Sequence, residues 1–180
     1  MNSVSHDIVS FSKAAGPKRW FAKDTAFDAE ICERFFEAHE QAARGELADW
    51  VNEAESALAL LILLDQFPRN LYRNSAHAFA TDAMALHVAR VALRKGHDAH
   101  CGIAMKQFFY LPFMHSEKIA DQELCVALCR THGLANNIGF AEVHRDIIRR
   151  FGRFPHRNTV MGRVTTPEEQ AFLDAGGFAG

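Results

Sequence analysis

Apolar residues along this chain recur at three- and four-residue spacing, and strand-type alternation is negligible. Phe27, Ile31, Phe35, Ala38 and Ala42 predict a helix over 25–44. Thr25 and Asp28 resemble a capping box at its start, and Gly45 is a stop at its end. A short helix is expected over 4–14, halted by Gly16-Pro17, with Trp20-Phe21 as an apolar anchor behind it. The run Leu58-Ala59-Leu60-Leu61-Ile62-Leu63-Leu64 is apolar on every face, the mark of a core helix, expected over 53–67. Further helices are expected over 75–95, 118–131 and 138–151, with a loop over 96–105. The aromatic segment 108–113 is interrupted by Pro112. A last short helix starts at Pro167, with Thr166 as its N-cap.

The pattern predicts an all-α protein. Antiparallel helical hairpins stack as a tetratricopeptide-like array or a bundle, in one domain over 1–180. No period of about 34 residues repeats with a fixed pattern.

The core helix ends awkwardly. Pro68 disfavours its continuation, which places Asp65 and Gln66 in its last turn. A carboxylate there meets the negative end of the helix dipole, so it needs a cation. Arg69 and Arg73 are nearest in sequence. The same letters return later: Phe67-Pro68-Arg69-Asn70 is echoed by Phe154-Pro155-His156-Arg157-Asn158. Each follows a helix, and each Arg-Asn pair either satisfies helix carbonyls or faces a ligand.

Three other polar groups stand beside apolar ones. His144 shares a helical face with Phe140, Ile147 and Phe151. Asp82 lies close in angle to Phe79, Leu86, Ala89 and Leu93, where burial demands a cation or several donors. His115-Ser116-Glu117 precedes a helix. Ser116 reads as its N-cap and Glu117 suits the dipole, but neither role accounts for His115.

Composition adds boundaries. At 48% hydrophobic and 23% charged, 180 residues can build a core without staples. A net charge of −2 gives no general reason to expect a nucleic-acid or membrane partner. The charge is uneven: ten acids against two bases over 24–55, and six arginines against one acid over 144–166. Arginine suits bidentate recognition of carboxylate or phosphate. Cys32, Cys101, Cys125 and Cys129 form no C-x-x-C pair, which predicts reduced core thiols and assigns no metal ligand, with a Cys/His zinc site as the minor alternative. No targeting segment or spanning run is evident, so a cytoplasmic location is expected. No phosphate loop, dinucleotide turn, G-x-S-x-G or H-E-x-x-H is present, and the cofactor is unknown from the sequence.

Four separated motifs carry a family resemblance. They are Trp20-Phe21-Ala22-Lys23-Asp24, the run 60–70 with Phe79-Ala80-Thr81-Asp82, the segment 109–117 and the segment 151–158. In this order they resemble the bacterial family known as domain of unknown function 924. The chain departs from it at Ile8-Val9-Ser10-Phe11-Ser12, where the family carries a Phe-Trp-Phe-type segment. The resemblance implies a fold similar to tetratricopeptide-like arrays, and it implies no activity.

Three readings follow. In the first, a pocket binds a small anionic metabolite through Arg69, Asn70, Arg153, His156, Arg157 and Asn158. His115 or His144 would then transfer protons, oriented by Asp65, Asp82 or Glu117, in hydrolase or phosphoryl-type chemistry. In the second, a tetratricopeptide-like module holds a peptide partner, with arginines clamping a carboxylate. In the third, the clusters are clasps that fix helix ends.

Overall fold

The computed structural model describes residues 3–178, and among them every regular element is helical. The α-helices are α1 (Ser3–Ala15), α2 (Pro17–Trp20), α3 (Thr25–Ala43), α4 (Ala54–Leu61), α5 (Phe67–Leu71), α6 (Asp82–Arg94), α7 (Ile103–Met114), α8 (Ile119–Thr131), α9 (Ala135–Phe151) and α10 (Pro167–Asp174). The all-α expectation holds.

The described chain clusters into two compact units. The first runs up to Arg73 and resumes over His77–Pro112; the second comprises Asn74–Ala76 and the residues from Phe113 onward. In the first unit α1 packs on α4, α3 on α5, and α4 on α6. Aromatic rings fill its centre: Phe11 stacks on Phe27 at 5.3 Å, Phe35 on Phe67 at 5.4 Å, and Trp20 meets Phe108 edge-on at 4.9 Å. In the second, α8 packs on α9 across the turn at Gly133, and α10 packs on a 3₁₀ turn over Pro155–Arg157. Ile147, Ile148 and Phe154 form its buried centre, with Phe151, Phe172 and Phe178 against them.

Several boundaries differ from expectation, each for a local reason. The cap of α3 is Asp24 rather than Thr25: its Oδ1 accepts the N–H groups of Ala26 and Phe27 at 3.0 Å. Asp28 is thereby left to pair elsewhere. The expected helix over 75–95 is broken by a 3₁₀ turn, Ala76–Phe79, so Asp82 opens α6 where the dipole favours an acid. Within the expected 96–105 loop, His97–His100 form a 3₁₀ turn and α7 begins at Ile103. Pro112 lies inside α7. That helix buries Met105, Phe108, Phe109, Tyr110, Leu111, Phe113 and Met114, and burial on all faces outweighs one lost backbone bond.

The largest difference concerns Pro68. The core helix does not end there. Ile62–Gln66 form a π-helical turn, and the Phe67 N–H reaches back five residues to the Ile62 carbonyl. The widened turn lets Pro68 fall in the first turn of α5, where a proline needs no N–H. Asp65 and Gln66 therefore sit within a continuous helical run, not at its negative end. Leu63, Leu64, Asp65 and Gln66 are all buried.

The Thr166 expectation is met in full. Its side chain accepts the Glu169 N–H, and the Glu169 carboxylate accepts the Thr166 N–H at 2.8 Å, a complete capping box.

Candidate functional site

The π turn of the first unit disturbs the carbonyl ladder, and side chains supply the missing donors. His39 Nδ1 lies 2.9 Å from the Leu63 carbonyl, which can only accept, so that nitrogen carries the proton. The Thr81 hydroxyl donates to Leu64 at 2.6 Å, and Arg69 Nη1 donates to Asp65 at 2.6 Å. These three donors meet three consecutive carbonyls, which is how a π turn stays buried.

Arg69 does more than this. It bonds both Asp82 oxygens, at 2.9 and 3.0 Å, and lies 3.4 Å from the Asp65 carboxylate. Burial works against its charge, yet Asp65 and Asp82 raise its pKa further. Arg73 does not compensate Asp65: it clamps Asp28, with Nε 2.5 Å from Oδ2. Asn70 donates to the same Asp28 at 2.8 Å, and Gln66 donates to Asn70 and to the Trp20 carbonyl. Arg73 also donates to the Ala22 carbonyl. The 20–24 motif and the 65–73 motif are thus tied together by hydrogen bonds.

In the second unit the end of α9 is set by Gly152, with φ +70°. Beyond it, Phe154 is fully buried and Arg157 stacks on its ring, 4.5 Å from the centroid. Glu117 is not a helix-entry acid. Its Oε1 accepts the Phe154 N–H at 2.8 Å, and both oxygens take Arg163, at 2.7 and 3.0 Å. Burial opposes the Glu117 charge, but Arg163 and that N–H hold its pKa below the usual carboxylate value. Ser116 is likewise not the N-cap of α8. Its hydroxyl donates to Asp121 at 2.8 Å and accepts the Lys118 N–H.

Arg153 forks onto Glu169 at 2.6 and 2.8 Å and donates to the Val164 carbonyl. Asn158 donates to the same Glu169 carboxylate at 3.2 Å. Arg153 chiefly, with the Thr166 N–H, draws the Glu169 pKa down to about 2.

The histidines gather round Phe154. His144 is 6% exposed, and its Nδ1 donates to the Phe140 carbonyl at 2.7 Å, which leaves Nε2 as the acceptor. Its ring lies 5.4 Å from Phe154, 4.5 Å from Phe178 and 6.5 Å from His115. His156 lies 5.6 Å from Phe154 and 5.3 Å from Phe178, and its buried Nδ1 has no hydrogen-bond partner. Burial first, then His115, takes the His144 pKa down to about 3. Burial first, then Arg157, takes His156 to about 4. Phe140 itself is 60% exposed, so the expected face with His144 is only partly a core face.

The sequence-predicted residues thus fall into two groups. Asp65, Arg69, Asn70 and Asp82 belong to the first unit. His115, Glu117, His144, Arg153, His156, Arg157 and Asn158 belong to the second. Sequence reasoning missed His39, Thr81 and Glu169. A capping-box pattern at Thr166 was the available signal for Glu169; nothing in the sequence announces a π turn or its donors. Two shallow hollows of 310 and 130 Å³ in the first unit are lined by other residues, among them Arg19, Arg34 and His97. Among the described residues no group of three or more His, Cys, Asp or Glu is placed to hold a metal ion. No described helix is long and apolar enough to cross a membrane.

The protein is therefore an all-α protein of packed helices whose polar clusters lie against the turns that follow its buried helices. It belongs to the family described as "Bacterial protein of unknown function (DUF924)", whose model matches residues 7–177. The chain is also similar to a solved structure of a protein of unknown function from Agrobacterium tumefaciens. The two are 50% identical, with a TM-score of 0.94 over 97% of this chain and 98% of that one. No curated protein matches the chain.

Proposed function

We propose that the second unit binds a small anionic metabolite through His115, His144, His156 and Arg157. The observation that carries this reading is the neutral imidazole pair. Burial depresses the pKa of His144 and His156 to about 3 and about 4, beside a guanidinium that is itself 6% exposed. Perturbed groups clustered in this way mark functional sites more often than chance. Arg163 forks onto Glu117, whose charge the Arg157 guanidinium also stabilises, and Arg153 forks onto Glu169. An added anion would share the Arg157 guanidinium and meet the His144 and His156 rings in their protonated form.

Arg153 and Asn158 enter this reading as supports, since Glu169 holds their donors, while Arg69 and Asn70 serve the first unit, where Asp82 and Asp28 hold theirs. The reading is one of binding. An imidazole held at about 3 is a weak base at neutral pH. Proton transfer by His144, in hydrolytic or phosphoryl chemistry, would require the bound anion to raise that value first; His115, with its ring 6.5 Å away, is the other candidate for that role. The four free thiols fit a cytoplasmic setting.

The test is thermal unfolding in sodium phosphate. A ligand at a hundred times its Kd stabilises by about 2.7 kcal/mol. Phosphate should raise the wild-type Tm, more at pH 6 than at pH 8, because anion binding recruits protons to the histidines. His156→Gln and Arg157→Lys should lose most of that shift. If phosphate leaves the wild-type Tm unchanged at both pH values, the reading is wrong. Saturable binding of an acidic C-terminal peptide instead would favour a tetratricopeptide-like clamp.

A further inference from the structure

Phe178 is an unusual neighbour for the buried His144 and the half-buried His156. Its ring is half-buried, 4.5 Å from His144 and 5.3 Å from His156, at interplanar angles of 58° and 76°. The two residues before it are glycines. Gly176 sits at φ +80°, a left-handed conformation that side chains rarely adopt. At Gly177 a Cβ would meet the Phe172 ring at 2.5 Å and its carbonyl oxygen at 2.6 Å, so only glycine fits. The Gly177 N–H donates to that carbonyl at 3.0 Å. The segment is thus shaped to lay one aromatic ring on the imidazole pair, at the edge of the Ile147, Ile148 and Phe154 cluster. Beside this ring's place stand the buried Phe154 face and the Arg157 guanidinium stacked on it.

We propose that the Phe178 ring fills the place of an aromatic group of the ligand, so that the site takes a planar aryl compound bearing a phosphate or carboxylate, and binding swings Phe178 out about Gly176–Gly177. This rests on the anion site proposed above and adds the aryl half of the ligand. The aryl group would stack against His144 and His156, and the anion would meet Arg157. Phe178 then acts as a built-in competitor for the aryl group and leaves the anion contacts alone.

The experiment compares phenyl phosphate with inorganic phosphate by calorimetric titration of wild type, Phe178→Ala and Gly177→Ala. The second variant expels the tail by steric conflict while keeping the ring. Both variants should bind phenyl phosphate about tenfold more tightly than wild type, the upper range for one aromatic contact. Their affinity for inorganic phosphate should stay within about twofold of wild type. In wild type, phenyl phosphate should also shift the His144 and His156 ring-proton resonances as the Phe178 ring current leaves. Phosphate binding with no gain for phenyl phosphate in either variant overturns the aryl assignment and leaves the anion site standing. Weaker phenyl phosphate binding in Phe178→Ala also overturns it, since Phe178 would then be part of the grip. If neither compound binds any of the three proteins, the anion site itself falls.

Discussion

Two regions of this molecule share the letters Phe-Pro-Arg-Asn and treat them differently. At Phe67-Pro68-Arg69-Asn70 the helical path continues through the proline, because the preceding π turn places it where no N–H is required. At Phe154-Pro155-His156-Arg157-Asn158 the helix has already stopped at Gly152, and the proline opens a separate 3₁₀ turn. The asparagines behave alike. Asn70 donates to Asp28 and Asn158 to Glu169. Each carboxylate lies in the first turn of a helix and is held by an arginine, Arg73 in one case and Arg153 in the other. The arginines within the motifs diverge. Arg69 bonds the Asp65 carbonyl and Asp82, whereas Arg157 stacks on Phe154 among histidines. The inserted His156 is the letter that separates a clasp from a candidate site.

The comparison can be broken most forcefully at Arg69. Arg69→Ala removes donors from a buried backbone carbonyl and from two carboxylates, and should cost about 3–5 kcal/mol in urea unfolding. A loss below 1 kcal/mol would mean that the first region is no clasp.

Acid should act next, and chiefly on the second region. His144 and His156 titrate near 3 and 4 in the folded protein but near 6.5 when unfolded. Between those values the unfolded chain binds more protons, so stability falls as pH drops below about 6.5, by up to about 1.4 kcal/mol per pH unit for each histidine. Glu169, at about 2 when folded, adds its own loss only below about 4.5. Measured from pH 7 to 5, His144→Phe should flatten the slope, whereas Glu169→Gln should leave it unchanged.

Glu169→Gln is itself expected to cost about 2 kcal/mol at pH 7, because it weakens the capping box and the Arg153 fork together. The smallest effects separate the two prolines. Pro155→Ala should destabilise by about 0.5–1 kcal/mol through a freer unfolded chain. Pro68→Ala should cost less than that, because the restored N–H can bond within the helical run. Equal and larger costs at both positions would erase the difference drawn between the turns.

Much of the fold was legible in the sequence. The helical spacing from Phe27 to Ala42, the glycine stops and the Thr166 cap depend on a few neighbouring residues, and local physics decides them. Pro68 and Pro112 misled because tertiary packing offsets a proline's cost inside a helix. Burial of α7 does so at Pro112, and before Pro68 distant residues take the spare carbonyls. His39 lies 24 positions from Leu63, and Thr81 lies 17 from Leu64. The pairing of Asp28 with Arg73, 45 residues apart, is equally silent in the sequence.

By itself the sequence determined the all-α class, the helix stops and the family membership that its motifs announce, because periodicity, capping and turn chemistry act over one or two turns. Only the tertiary structure decided which arginine holds which carboxylate, that Asp65 lies within a π turn, and that His144, His156 and Phe178 meet over Phe154. Those outcomes depend on burial, and burial is a property of how distant segments pack.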